Sequence, residues 1–241
     1  MFSYFWVHVR GVVSVVGNAQ AGASALGEQA VRVCTRALYR DVDKAHSWDW
    51  NLRLTDGSLD ELEFWAENLV DLNSSSLRRS QVPVLVNYLL AGGASGVGGF
   101  LGNSTTKKTL LSLPFSPGQM VMSSTWRELY VLHNFYTSVG AEAFRGKTVL
   151  HLCDNAGVSA IIRDGSPRPM LAEMSRDIFL ACRKLDIELI VIWESREAEL
   201  MGLADEGSRG PWLMEDEFQM DFDLYADILS RYIPISILTL A

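Results

Sequence analysis

From Ala23 to about Lys44, apolar residues recur at helical spacing: Leu26, Ala30, Val33, Ala37 and Leu38 fall along one side, while Arg32, Arg36 and Arg40 fall elsewhere. That period predicts an amphipathic helix. A second helix is expected to begin near Ser58, because Ser58 and Glu61 have capping-box spacing and Leu62, Trp65 and Leu69 supply an apolar face. Asn73 and the serines after it end that element. Beyond Arg79 the pattern changes. Val82 to Leu90 is a run of β-branched and apolar residues followed by glycines at 92, 93, 96, 98 and 99, which reads as strand, turn, strand. A helix over 123–138, a buried strand over 147–153, a helix over 167–185, a strand over 187–193 and a last helix over 198–208 follow. Strands that alternate with helices imply an α/β layer structure with helices packed on a sheet.

This patterning divides the chain into a helical segment over 1–80, an α/β domain over 81–209 and an acidic appendage over 210–241. With 241 residues and 48% apolar content, the chain is long enough to bury a sizeable core. Its net charge of -8 is uneven: residues 1–80 carry ten acids and eight bases, 81–209 thirteen and twelve, and 210–241 six and one. The α/β domain therefore lacks the broad basic field that drives nonspecific nucleic-acid binding, although an acidic metal site can work beside a local basic track.

Cys34, Cys153 and Cys182 are odd in number and share no metal-type spacing, which favours a reduced, intracellular protein, cytoplasmic or nuclear. The valines at 12, 13, 15 and 16 before Ala19-Gln20-Ala21 have a faint secretory look, but no basic n-region precedes them, so secretion is not expected. No apolar stretch approaches the ~20 residues needed to cross a bilayer. The glycines near 92–99 fit neither a P-loop nor a dinucleotide fingerprint, and Ser95, His133 and His151 do not form a convincing hydrolase triad. Arg78, Arg79, Lys107, Lys108, Arg163, Arg168 and Arg196 could contact phosphates, but the set is diffuse and each taken alone is expected to be a solvated surface charge. Trp126 and Trp193 are expected in the core rather than as stacking platforms.

Three acids occupy more informative settings. Asp154 directly follows an apolar strand, where α/β sheets place chemistry, and Asn155 opens the next element. Glu128 lies in the helix carrying Trp126, Leu129 and Leu132, and Asp205 in Leu203-Ala204-Asp205. Converging carboxylates repel unless they share cations. Two Mg²⁺ ions about 4 Å apart can activate a water and stabilise a leaving oxygen.

The ordered segments SSTWREL at 123–129, LHLCDNAG at 150–157 and LADEGSR at 203–209 resemble the ribonuclease H region of reverse transcriptases from DIRS-type retrotransposons, which use a tyrosine recombinase. Upstream, ASALGEQAVRVCTRALY at 23–39, SWDWNLRL at 47–54 and DELEFWAENL at 60–69 look like the connection segment between polymerase and nuclease in those elements. The resemblance implies a ribonuclease H-like mixed sheet flanked by helices, with an N-terminal helical connection segment. It also implies hydrolysis of RNA in RNA–DNA hybrids with two Mg²⁺ or Mn²⁺ ions. Glu128, Asp154 and Asp205 would be three of the four metal-binding catalytic acids, and Ser95, Asn155, Arg196 and Arg209 would face nucleic acid.

Departures from the family pattern temper that expectation. The fourth acid belongs at the start of a DAS-like motif that reads Gly93-Ala94-Ser95 here, and Met201 replaces the usual asparagine. Glycine cannot ligate through a side chain, so impaired cleavage is expected. A catalytically silent nucleic-acid-binding or scaffold module is the alternative. No paired aspartates after an apolar strand are present to serve a polymerase.

Overall fold

The computed structural model describes residues 6–74, 84–90, 96–101 and 109–195. These fall into two compact units, one within 1–80 together with 161–176, the other within 81–160 together with 177–241. Residues 161–176, expected inside the 81–209 domain, thus group with the first unit.

The first unit opens with β1 (Trp6–His8) and α1 (Val9–Ala21), continues through α2 (Ala23–Leu26), α3 (Glu28–Val33) and α4 (Arg36–Val42), then β2 (Asn51–Arg53) and α5 (Asp56–Ser74). The valine-rich stretch with a secretory look is α1. Val9, Val12, Val16 and Ala19 are spaced to bury one face, and the first three pack with Leu38, Leu52 and Leu54. The single helix expected over 23–44 is three short ones. Gly27, at φ +94°, breaks the first junction, in a region L side chains rarely adopt.

Ser58 and Glu61 do not cap α5, which begins two residues before Ser58. Both glutamate oxygens instead accept main-chain N–H groups of α4, from Ala37 at 2.8 Å and Leu38 at 2.9 Å. These are among the donors left open at a helix start, and the site favours a negative charge. Burial nevertheless pushes the Glu61 carboxyl above its ordinary value, with the two N–H groups opposing the rise. Asp41, also buried, accepts from Ser58 Oγ at 2.6 Å, Thr55 N at 2.7 Å and Lys44 Nζ at 2.8 Å. Burial acts to raise its carboxyl, but the hydrogen bonds from Lys44, Ser58 and Thr55 hold it below its ordinary value. Residues 161–176 join this unit through Arg32 to Asp164 at 2.7 Å and Gln29 to the Ile162 carbonyl at 2.9 Å. Gly165, at φ +74°, lets the chain pass close: a Cβ there would lie 2.9 Å from Arg36 Cγ.

The second unit is built on β3 (Val84–Leu90), β4 (Gly96–Leu101), β5 (Thr109–Pro114), β6 (Thr148–Cys153) and β7 (Glu188–Trp193). Between β5 and β6 lie α6 (Pro117–Met120) and α7 (Ser124–Thr137), and between β6 and β7 lie α8 (Ala156–Asp164) and α9 (Pro169–Lys184). The strand order is β5-β4-β3-β6-β7. The β3–β4 and β4–β5 pairs are antiparallel, and β3–β6 and β6–β7 are parallel. This mixed α/β arrangement, three strands meandering and two added in parallel beside the first, is ribonuclease H-like. β5 was not singled out in the sequence, whereas α7, β6, α9 and β7 lie within about two residues of their expected bounds.

Ser123 caps α7 by accepting from Trp126 N at 3.2 Å. From that start the helix turns Leu129, Val131, Leu132, Phe135 and Tyr136 into the core together with Glu128. Phe135 packs on Phe144, and Val149, Cys153, Val158 and Ile178 are buried in the same unit. The last helix expected over 198–208 and the acidic segment from 210 lie outside the described residues.

Candidate active site at the end of the central parallel strand

β6 is hydrogen-bonded on both sides by parallel strands, β3 and β7. Asp154 comes directly after it and is partly buried, at the carboxyl end of the strand, where open α/β sheets place ligand chemistry. The chain then turns into α8 with Asn155 as its N-cap: Oδ1 accepts from Gly157 N at 2.9 Å, and the Asn155 carbonyl accepts from Val158 N at 3.0 Å. The same side chain reaches across to α7, where Nδ2 donates to Glu128 Oε1 at 3.2 Å and to Thr125 Oγ1 at 3.4 Å. Glu128 is only 3% exposed. The N-cap of one helix therefore holds a buried carboxylate of another, at the strand end that Asp154 follows.

Cys153 registers both charges. Its thiol is pushed up to about 12, chiefly by burial, with the negative charges of Glu128 and Asp154 adding to the rise. Space here is close: a Cβ on Gly157 would lie 3.0 Å from Asn155 Oδ1 and 3.5 Å from Thr125 Cγ2. On the other side, Trp193 Nε1 donates to the Asp154 carbonyl at 3.2 Å. Trp193 was expected in the core but is 55% exposed, on a strand at the end of the described strand order whose Ile190 and Ile192 are exposed as well. Trp126, by contrast, is partly buried and stacks on Tyr130 with ring centroids 4.8 Å apart.

Of the residues singled out in the sequence, Glu128, Asp154 and Asn155 come together here. Gly93, Ser95, Asp205, Arg196 and Arg209 lie outside the described residues. Asn155, expected to face nucleic acid, has described side-chain contacts that are internal. Arg163 pairs with Asp164 at 2.7 Å and belongs to the first unit. His151 is fully buried with its ring 6.4 Å from that of Tyr136, while His133 faces Asp177 at 3.1 Å. Thr125, Cys153 and Trp193 are additional members of the site. The first two lie inside the motif segments at 123–129 and 150–157, but the roles of all three depend on packing that sequence spacing does not specify.

Among the described residues no three His, Cys, Asp or Glu side chains form a metal-binding group. Glu128 and Asp154 supply a pair of hard oxygen donors of the type Mg²⁺ and Mn²⁺ prefer.

No family model matches the chain, and no curated protein matches it. Among solved structures it is similar to the native protease-reverse transcriptase of prototype foamy virus, at 16% identity and TM-score 0.36, covering 85% of this chain and 28% of that one. It is also similar to the foamy viral protease-reverse transcriptase in complex with an RNA/DNA hybrid, at 15% identity and TM-score 0.34, covering 91% of this chain and 28% of that one. For the foamy viral protein in complex with dsDNA the values are 14% identity and TM-score 0.36, covering 83% and 40%. The chain thus spans between 28% and 40% of the length of these proteins, and the likeness concerns fold alone. Among the described residues no helix is long and apolar enough to cross a membrane.

Proposed function

We propose that this chain is a retroelement-derived ribonuclease H-like domain whose ancestral reaction is hydrolysis of the RNA strand of an RNA–DNA hybrid, and that Gly93 has impaired that reaction. The observation that carries this reading is the tether between Asn155 and Glu128 at the carboxyl end of β6, which anchors a buried carboxylate of α7 to the residue that follows Asp154. The sequence resemblance to DIRS-type elements supports the same assignment and adds Asp205 as a third ligand. Glu128, Asp154 and Asp205 would hold the cations. Two divalent ions, when bound, would supply an activated water and charge stabilisation at the leaving oxygen.

The chain's own residues provide placement. Asn155 fixes the Glu128 carboxylate, and the indole N–H of Trp193 fixes the main chain at Asp154. A ligand position occupied by Gly93 lacks a carboxylate, and a misplacement of even 1 Å can cost on the order of 10²-fold in rate. That glycine also favours a second reading, a nucleic-acid-binding or scaffold module that keeps the fold without cleavage. A labelled RNA–DNA hybrid incubated with the wild-type chain and with Gly93→Asp, in Mg²⁺ and in Mn²⁺, tests the proposal. Cleavage gained on Gly93→Asp supports it, and efficient cleavage by the unmodified chain contradicts the impairment. A folded Gly93→Asp protein that binds hybrid but leaves it intact favours the binding-module reading.

A further inference from the structure

The pairing register of β6 with β7 settles which way the exposed Trp193 points. Val149, His151 and Cys153 alternate along β6 and are 0%, 0% and 1% exposed. The contact of the His151 ring with Tyr136 identifies this as the face covered by α7. Paired residues on neighbouring strands lie on the same face of a sheet. The partners in β7 are Leu189, Val191 and Trp193. Trp193 therefore lies on the α7 side of the sheet, the side of the helix that carries Glu128.

Along this row cover is lost at the last position. Leu189 and Val191 are partly buried, but Trp193, opposite the fully buried Cys153, is 55% exposed. Its ring is not free to swing away. Nε1 donates to the Asp154 carbonyl at 3.2 Å, and just beyond it Glu194 N donates to the Cys153 carbonyl at 2.8 Å, carrying the β6–β7 ladder past the tryptophan. A large apolar ring is thus pinned by its polar edge to the main chain of a site carboxylate, with about half of the residue's surface open. Leaving such a ring exposed forgoes the burial an indole ordinarily gains in folding, and an aromatic side chain tied at one end and open at the other is well suited to an interface.

Resting on the reading under Proposed function, we infer that Trp193 is the apolar platform on which one strand of the hybrid lies beside Glu128 and Asp154. Within a duplex, base faces are stacked on one another. The surface available to a flat ring at the backbone is the sugar edge, and in A-like duplexes it lines a wide, shallow minor groove. Trp193 takes the sugar face next to the phosphate that approaches the two carboxylates. It is a positioning residue: its ring sets where the strand lies, and its N–H holds the Asp154 main chain.

The test compares wild type, Trp193→Phe and Trp193→Leu for binding of a fluorescently labelled RNA–DNA hybrid by anisotropy, with thermal unfolding as the control for folding. Trp193→Phe keeps a ring and should bind within about twofold of wild type. Trp193→Leu keeps apolar character without the ring and should bind about tenfold more weakly, as expected for loss of one well-packed aromatic contact. Hybrid should also quench wild-type tryptophan fluorescence, with part of that quench missing in Trp193→Phe. This second readout needs only the phenylalanine variant and stands if Trp193→Leu does not fold. Wild-type affinity in folded Trp193→Leu, an equal loss in both variants, or an unchanged quench in Trp193→Phe overturns the platform while leaving the nuclease assignment intact. Failure of the wild-type chain to bind hybrid at all overturns both.

Discussion

Glu61 and Glu128 are 2% and 3% exposed, each on a helix of its own unit, yet they have opposite surroundings. Glu61 receives two main-chain N–H groups at the start of α4. Its two oxygens complete a helix terminus. Glu128 is held by a side-chain amide at the end of a parallel strand, by the residue that follows Asp154. Near-equal burial therefore says little about role. What distinguishes the two is whether the donors are main-chain N–H groups that a helix start must satisfy, or the side chain of a cap at the strand end where α/β sheets place chemistry.

The sharpest way to break this comparison is to remove each glutamate in turn. Glu61→Ala leaves two buried N–H groups of α4 without their acceptor and should destabilise the protein by about 2–5 kcal/mol in urea unfolding. Glu128→Gln relieves like-charge proximity to Asp154, keeps the size of the side chain, and should change stability by less than about 1 kcal/mol. Similar losses in the two variants would erase the distinction. Next in size, Asn155→Ala removes the cap of α8 and should cost about 1 kcal/mol. In the Gly93→Asp background it should also lower hybrid cleavage by more than its stability loss explains, because Glu128 loses its tether. The smallest effect concerns pH. Asp41 is held below its ordinary carboxyl value, so its contribution to stability is complete above that ordinary value, near 3.8, and is lost as pH falls below it. Glu61 is shifted upward, so its contribution is present below its ordinary value, near 4.5, and is lost as pH rises through the raised one. Urea midpoints taken across the acid range should fall less steeply on acidification in Asp41→Asn than in wild type.

The elements read well from the sequence are those with both a period and a cap. α7 has Ser123 before it and an apolar face built around Leu129, Leu132 and Tyr136, and β6 and β7 are short apolar runs that no turn interrupts. The first unit was harder to read. α1 packs through valines, which have modest helix propensity, and β1 and β2 are three residues each, too short for alternation to register. The interval from Ser58 to Glu61 illustrates a general ambiguity. Spacing of i and i+3 puts two side chains on one helical face wherever in the helix they occur, so it cannot show that their partners are Asp41 and α4 rather than their own helix end. At the site, motif resemblance singled out Glu128, Asp154 and Asn155, but the bond joining Asn155 to Glu128 spans 27 positions and arises only once α7 lies on the sheet. The exposure of Trp193 was hidden for a related reason: an apolar run looks the same whether its strand lies in the middle of a sheet or, as β7 does among the described strands, at its end.

The central claim, that Glu128 and Asp154 are ligands of one divalent-cation site, is tested most directly by Mn²⁺ binding followed by calorimetric titration. The proteins to compare are Gly93→Asp and the same variant carrying either Glu128→Gln or Asp154→Asn, each checked for an unchanged unfolding midpoint. The expected result is saturable Mn²⁺ binding by Gly93→Asp that weakens at least tenfold when either carboxylate is neutralised. Binding that survives both substitutions undiminished would place the cation elsewhere and contradict the account.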